Sequence, residues 1–214
     1  MRQAMWRNLV YAGCRYSFYL LLLIAVPVMI NIDYLLQLWL GTVPEYTSQF
    51  LVLALIAALI NVMAPPIVTA LQATGKIKVF QIVICIIMLL ELPLAYSILY
   101  YGGKPYMAMY PTILVMFIGL FARFIILRRL IPVYRLRYFI INIVVRNLLI
   151  GMICFLLSLW IGKCFQQDFI HFLLTSLLTV VLSGFTIYIL GLSRKERTKI
   201  MILIKNKIFI KHDK

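Results

Sequence analysis

The chain has 214 residues, of which 64% are hydrophobic and 13% charged, and its mean hydropathy is +1.03. A soluble domain is nearer half apolar and a quarter charged, so a disordered segment, a disulfide-rich scaffold and a soluble globular protein are excluded and an all-α polytopic membrane protein is predicted. The net charge of +15 indicates membrane topology rather than nucleic-acid binding, because the basic residues lie between and after apolar runs.

Six apolar windows predict six transmembrane helices. They cover residues 17–32, 49–71, 79–101, 106–127, 147–161 and 169–192. At roughly 20 residues per span they leave no room for a separate soluble enzyme domain. Residues 1–192 are therefore predicted to form one six-helix bundle, followed by a basic cytoplasmic tail at 193–214. The first helix is expected to continue over Leu35–Leu40 until Gly41 and Pro44 end it.

The second predicted helix contains two consecutive prolines near its midpoint, Pro65 and Pro66. They remove two backbone donors, so the helix is expected to break there. Such a break is either a packing kink or a hinge that lines a cavity, as in many transporters. Asn61, one turn earlier, favours the cavity slightly.

The third predicted helix carries Glu91 close to its middle. A charged side chain at that depth costs about 2.5 to 3.5 kcal/mol on insertion scales. Glu91 is therefore expected to be neutral, paired or turned towards a water-filled cavity. Two interpretations remain open: a proton, ion or substrate path, or a protonated acid hydrogen-bonded to a neighbouring helix.

The fourth predicted helix carries Arg123 on the cytoplasmic side of its centre. At that depth an arginine usually snorkels to the headgroups, and this is the preferred expectation. The alternatives are that it turns inward to Glu91, or that it binds a phosphate, which a guanidinium can hold with two parallel hydrogen bonds.

Residues 128–146 mix arginines with apolar residues after Pro132. Arg128, Arg129, Arg135 and Arg137 are predicted either to lie on the inner membrane surface near anionic headgroups or to form a solvated basic loop. The tail alternates Lys with Ile and Phe, and it is interpreted as a charged stop to the last helix rather than as an amphipathic surface segment.

The distribution of Lys and Arg predicts the topology. With six spans, nineteen of the 21 basic residues lie on the side of both termini, and Lys104 and Lys163 lie on the other side. Because cytoplasmic segments carry the excess of basic residues, both termini are predicted to be cytoplasmic. An odd number of spans would destroy this asymmetry.

The sequence contains no catalytic motif. His171 and His212 are far apart, no paired Cys/His spacing occurs, and no glycine-rich phosphate loop is present. We therefore expect no enzyme activity, metal site, cofactor or ATP coupling within the chain. The cysteines are interpreted as inert small hydrophobes, and they are Cys14, Cys85, Cys154 and Cys164.

Three segments occur in an order that resembles a known family. They are LLQLWLGTVPEYTSQF at residues 35–50, LQATGKIKVFQ at 71–81 and ELPLAYSILYYGGKP at 91–105. With the proline break between the first two, this order resembles the C-terminal part of the polysaccharide-lipid (O-antigen and capsule) flippases of the multidrug/oligosaccharidyl-lipid/polysaccharide exporter superfamily. The resemblance extends from Tyr16 to Leu192.

The resemblance implies a transporter that moves undecaprenyl-diphosphate-linked oligosaccharide across the bacterial cytoplasmic (inner) membrane for lipopolysaccharide or capsule biosynthesis. Members of that family alternate access between two bundles, so the resemblance also implies a second helical bundle, either a missing N-terminal half or another chain. The start of the chain, which leads directly into a span, is interpreted as an internal linker. The candidate path residues come from their physical setting and not from a family motif: Glu91, Arg123, Asn61, Pro65 and Pro66.

Two other functions are considered. A membrane-embedded polymerase or ligase of lipid-linked glycans would need a large outer loop, whereas the predicted outer connections, 41–48, 102–105 and 162–168, are short. The other is a non-transporting assembly protein or a truncated remnant. Under this hypothesis, substitutions at Glu91 and Arg123 alter folding or have no effect.

Overall fold

The computed structural model describes residues 2–162 and 169–192, together with Glu196 and Thr198. The described chain is helical, without strands. Its α-helices are α1 (Arg2–Ile30), α2 (Ile32–Leu40), α3 (Thr47–Asn61), α4 (Pro65–Gln72), α5 (Ile77–Leu89), α6 (Glu91–Tyr100), α7 (Met109–Leu130), α8 (Leu136–Phe139), α9 (Arg146–Gly162) and α10 (Phe169–Thr186). A 3₁₀ turn (Pro105–Ala108) precedes α7, and π-helical turns follow α8 (Ile140–Val145) and α10 (Ile187–Gly191).

Six helical stretches of the described chain are long and apolar enough to cross a membrane. They are Met5–Ile30, Thr47–Gln72, Ile77–Tyr100, Pro105–Leu130, Leu136–Trp160 and Phe169–Gly191, and we call them spans 1 to 6. The predicted all-α polytopic fold with six membrane-crossing helices is thereby confirmed. The predictions for Lys163, Cys164 and all but two residues of the 193–214 tail concern positions outside the described residues.

The predicted break in span 2 is confirmed. Helix α3 ends at Asn61 and α4 begins at Pro65, because the two prolines have no N–H for the carbonyls one turn earlier. The Ala64 N–H donates to the Asn61 carbonyl (2.9 Å), and the Cys14 thiol of α1 donates to the Met63 carbonyl (3.2 Å). The backbone of this buried turn is therefore partly satisfied within the bundle.

Span 3 has a second break, which the analysis of its sequence missed. Helix α5 ends at Leu89 and α6 begins at Glu91. Pro93 explains the break, because it provides no N–H for the Leu89 carbonyl and its ring clashes with that carbonyl. The break puts Glu91 at the start of a helix in the middle of the span.

Span 5 begins earlier than predicted. It starts at Leu136 instead of residue 147, so residues 136–146 belong to a helical stretch that is long and apolar enough to cross a membrane. Arg146 was expected in the basic segment before this span, but it lies within the helical stretch, and its guanidinium donates to the Leu190 carbonyl from both Nε and Nη2. That carbonyl lies in the π-helical turn Ile187–Gly191, at a helix end where carbonyls lack intrahelical donors.

The core lies where α1, α4, α7 and the start of span 5 meet. Phe124 of α7 stacks on Phe139 of α8 with ring centroids 3.9 Å apart, and both side chains are fully buried. Tyr134, in the connection between spans 4 and 5, closes this cluster edge-on to Phe124. Burial raises the pKa of the Tyr134 hydroxyl above its usual value, so it stays neutral.

Span 3 lies at the periphery of the bundle. Its most apolar window is 6% buried, whereas those of the other five spans are 28–39% buried. It contacts mainly α7 of span 4, with further contacts to α4. One side of span 3 is therefore left free to face lipid, and the other forms a wall of the cleft described next.

Candidate functional site

Glu91 binds a neighbouring helix and does not reach Arg123. The hydroxyl of Thr112 on α7 donates to Glu91 Oε1 at 2.6 Å, and the Glu91 side chain is half-buried. Thr112 lies eleven residues before Arg123 on the same helix, about 16 Å along its axis. Of the alternatives weighed for Arg123, pairing with Glu91 is therefore wrong.

The expectation that Arg123 snorkels is also wrong. Its side chain is 6% exposed and is directed back along α7, so that a Cβ built on Gly119 would lie 2.9 Å from Arg123 Nη1. Helical side chains lean towards the helix N-terminus, and Gly119 leaves the space that the guanidinium occupies. The charge consequently lies near the middle of span 4, about 16 Å along the axis from Leu130.

Arg123 has no counter-ion among the described residues. Its Nε and Nη1 atoms are buried and have no hydrogen-bond partner there. Three of the described acids pair elsewhere: Asp33 with Ser48, Glu91 with Thr112 and Glu196 with Arg15 (2.6 Å). Because a guanidinium stays protonated in proteins, a positive charge is buried within span 4 without a counter-ion among the described residues.

A cleft of 580 Å³ lies beside Arg123, between α4, α5, α6 and α7. Its polar lining consists of Arg123, Gln72 and Gln81, and its apolar wall includes Met88, Leu89 and Leu92. Leu89 and Leu92 flank the break in span 3, so the cleft extends to the helix end that carries Glu91. Gln81 and the apolar residues named here are exposed, which shows that the cleft is open along span 3.

The other residues predicted for a path do not line this cleft. Asn61 is exposed on span 2, and Pro66 lines a separate groove of 400 Å³ between α1 and α4. A Cβ on Gly13 of α1 would lie 3.1 Å from the Pro66 ring, so Pro66 is a packing residue. Pro65 is exposed at the first position of α4.

Two polar residues that the sequence analysis passed over lie next to the site or the break. Asn147 is fully buried on α9, and its Nδ2 donates to the Met63 sulfur in the turn of span 2 (3.5 Å). Gln81 of α5 is one of the polar residues that line the cleft. A polar residue inside an otherwise apolar window was a usable signal for both.

The basic residues predicted for the membrane surface are exposed. Arg128 and Arg129 lie in the last turn of α7, Arg135 lies in the connection to span 5, and Arg137 lies in the first turn of α8. The Arg135 N–H donates to the hydroxyl of Tyr11 on α1 (3.1 Å). This connection and the N-terminal turns of α1 therefore lie at the same end of the bundle.

Comparisons with protein-family models, with curated proteins and with solved structures give no match for this chain. The resemblance to polysaccharide-lipid flippases accordingly stays a prediction, and the site is interpreted from its own geometry.

Proposed function

We propose that the chain is one helical bundle of a transporter that flips undecaprenyl-diphosphate-linked oligosaccharide across the bacterial cytoplasmic membrane, for O-antigen or capsule biosynthesis. The observation that carries the proposal is the interruption of span 3 in mid-membrane, with the acid Glu91 on the first turn after the break. Interrupted spans supply polar ends at the depth where transporters bind their cargo.

The form of the cleft supports the proposal. A lipid-linked saccharide needs a polar region for its headgroup and a lipid-accessible flank for its tail. The cleft borders on the break, has amide and guanidinium groups in its lining, and opens along a span that is barely buried. No catalytic chemistry is part of this proposal.

The proposed topology and partner follow from charge and from bundle size. The exposed arginines of the connection between spans 4 and 5 lie at the same end as the start of α1, and a cytoplasmic position of that end agrees with the excess of basic residues. Alternating access needs two bodies that move against each other. The transporter is therefore proposed to contain a second helical bundle besides this chain.

The substitution Glu91→Gln tests the function. Glutamine keeps an oxygen that accepts from Thr112, so the fold is expected to remain, while the acid is lost. Export of surface polysaccharide by cells that depend on this chain is expected to fall about tenfold, equivalent to about 1.4 kcal/mol, at unchanged protein level. Export is measured by immunoblotting of surface glycan, and protein level by an epitope tag.

Glu45→Gln is the matched control, because Glu45 is exposed in the connection before α3; it is expected to leave export unchanged. Normal export by the Glu91→Gln protein would contradict the proposal and favour a non-transporting assembly protein, in which this acid only joins two helices.

A further inference from the structure

We infer that the cleft around Arg123 binds the phosphate group of a membrane lipid. This inference rests on the proposed function and deepens it, because it names the chemical group that the polar lining of the same cleft would hold.

The charge requires an anion. The Arg123 guanidinium is 6% exposed, and Nε and Nη1 have no acceptor among the described residues. A charge in the middle of a bilayer costs several kcal/mol unless it is paired or hydrated. Three of the four described acids have their own partners, and the fourth, Glu45, lies in the connection before α3. The described residues thus provide no counter-charge for Arg123, and an anionic ligand in the cleft would supply one.

The geometry suits a group with several acceptor oxygens. The guanidinium is a planar fork that binds phosphate through two parallel N–H···O bonds. It lies against Gly119 on the same helix and lines the cleft. Gln72 and Gln81 line the same cleft, and their amides can donate to further phosphate oxygens.

The lining distinguishes a lipid from a free anion. The wall beyond the polar residues is apolar, with Met88, Leu89 and Leu92, and a hydrocarbon chain would cover it. From Gln81 to Leu92 the cleft extends about 16 Å, and its volume of 580 Å³ is within the range of small-molecule sites. Inorganic phosphate would leave this wall unused.

The position of the cleft provides a route of entry. The polar residues Gln72 and Gln81 flank the connection that carries Lys76, and Lys78 opens α5 beside it. Anionic headgroups are attracted to such basic residues near the membrane surface. A lipid phosphate that collects there can pass the two glutamines to Arg123 while its tails remain beside the exposed side of span 3.

The inference is tested with the purified chain in an uncharged, phosphate-free maltoside detergent. Phosphatidylglycerol, diacylglycerol with the same acyl chains, oleate and inorganic phosphate are titrated separately, and binding is measured by native mass spectrometry and by the rise in Tm that a ligand of the folded state causes. Phosphatidylglycerol is expected to bind and raise the Tm, and diacylglycerol, oleate and inorganic phosphate are expected to bind at least about tenfold more weakly.

Substitutions assign the binding to the residue. Arg123→Gln is expected to weaken phosphatidylglycerol binding about tenfold or more. Lys104→Gln changes the net charge equally on an exposed residue that does not line the cleft and is expected to bind as the natural chain does. Gly119→Ala keeps the arginine but places a methyl group on its guanidinium, so it is expected to weaken binding as well. It provides a second test if Arg123→Gln does not fold.

Several results would overturn the inference. Equal binding of diacylglycerol would show that acyl chains alone are recognised, and equal binding of oleate would show a carboxylate site. Inorganic phosphate that binds as tightly as the lipid would assign the cleft to free phosphate. Unchanged phosphatidylglycerol binding by both Arg123→Gln and Gly119→Ala would remove Arg123 from the site. None of these results decides saccharide export, which the Glu91→Gln experiment measures separately.

Discussion

Phe124→Ala is expected to lower the free energy of unfolding by about 3 to 5 kcal/mol. The Phe124 ring is fully buried, stacks on Phe139 at 3.9 Å with an angle of 9° between the planes, and meets the edge of Tyr134 at 6.1 Å. Within a membrane, helices associate through packing rather than through a hydrophobic driving force. The cavity left by the ring would therefore remove contacts between spans 4 and 5 that lipid cannot replace.

The loss is measured by reversible unfolding in mixed micelles with increasing sodium dodecyl sulfate. Phe185→Ala is the matched control, because Phe185 is 65% exposed on α10 and its side chain has few protein contacts to lose. A change of less than about 1 kcal/mol is expected for the control. Equal losses for the two variants would show that the Phe124 cluster does not hold these spans together.

Ser183→Leu is expected to lower the free energy of unfolding by about 1 to 3 kcal/mol. One face of α10 buries a row of small hydroxyl residues, which are Thr175, Thr179, Ser183 and Thr186. This helix packs closely on α1 and α9, and small side chains permit such close approach in membranes. A leucine at the fully buried position 183 would force the helices apart.

The control is Val181→Leu, which enlarges a side chain that is 62% exposed on the same helix. Unfolding in mixed micelles is expected to be unchanged for this variant within about 0.5 kcal/mol. If Ser183→Leu were as stable as the natural chain, the close contact of α10 with α1 and α9 at this level would be contradicted.

A hydrogen bond between the end of span 1 and span 6 accompanies a helix boundary at Asn31 that local sequence patterns did not predict. Thr175 of α10 donates to the side-chain oxygen of Asn31 (3.0 Å), and the Asn31 amide donates to the Pro27 carbonyl (3.0 Å). Asn31 was expected to lie inside a continuous first helix, yet α1 ends just before it and α2 begins just after it. Its partner is 144 residues away in sequence, so no local pattern predicts the contact.

The sequence by itself determined the number of spans and the break at Pro65. Both follow from local physics, because about 20 apolar residues cross the hydrocarbon core and a proline cannot donate to the carbonyl one turn earlier. The break in span 3 at Pro93 obeys the same local rule and was equally predictable. The start of span 5 was not, because it depends on the acceptor that the end of span 6 provides for Arg146.

Only the tertiary structure decided the candidate site. The direction of Arg123 depends on the space above Gly119 and on the cleft between α4, α5 and α7, and the partner of Glu91 depends on the register of α6 against α7. A charged side chain within a span has several ways to satisfy its charge, and their free energies differ through contacts with residues far apart in sequence. Which one is adopted is therefore settled by packing and not by local pattern.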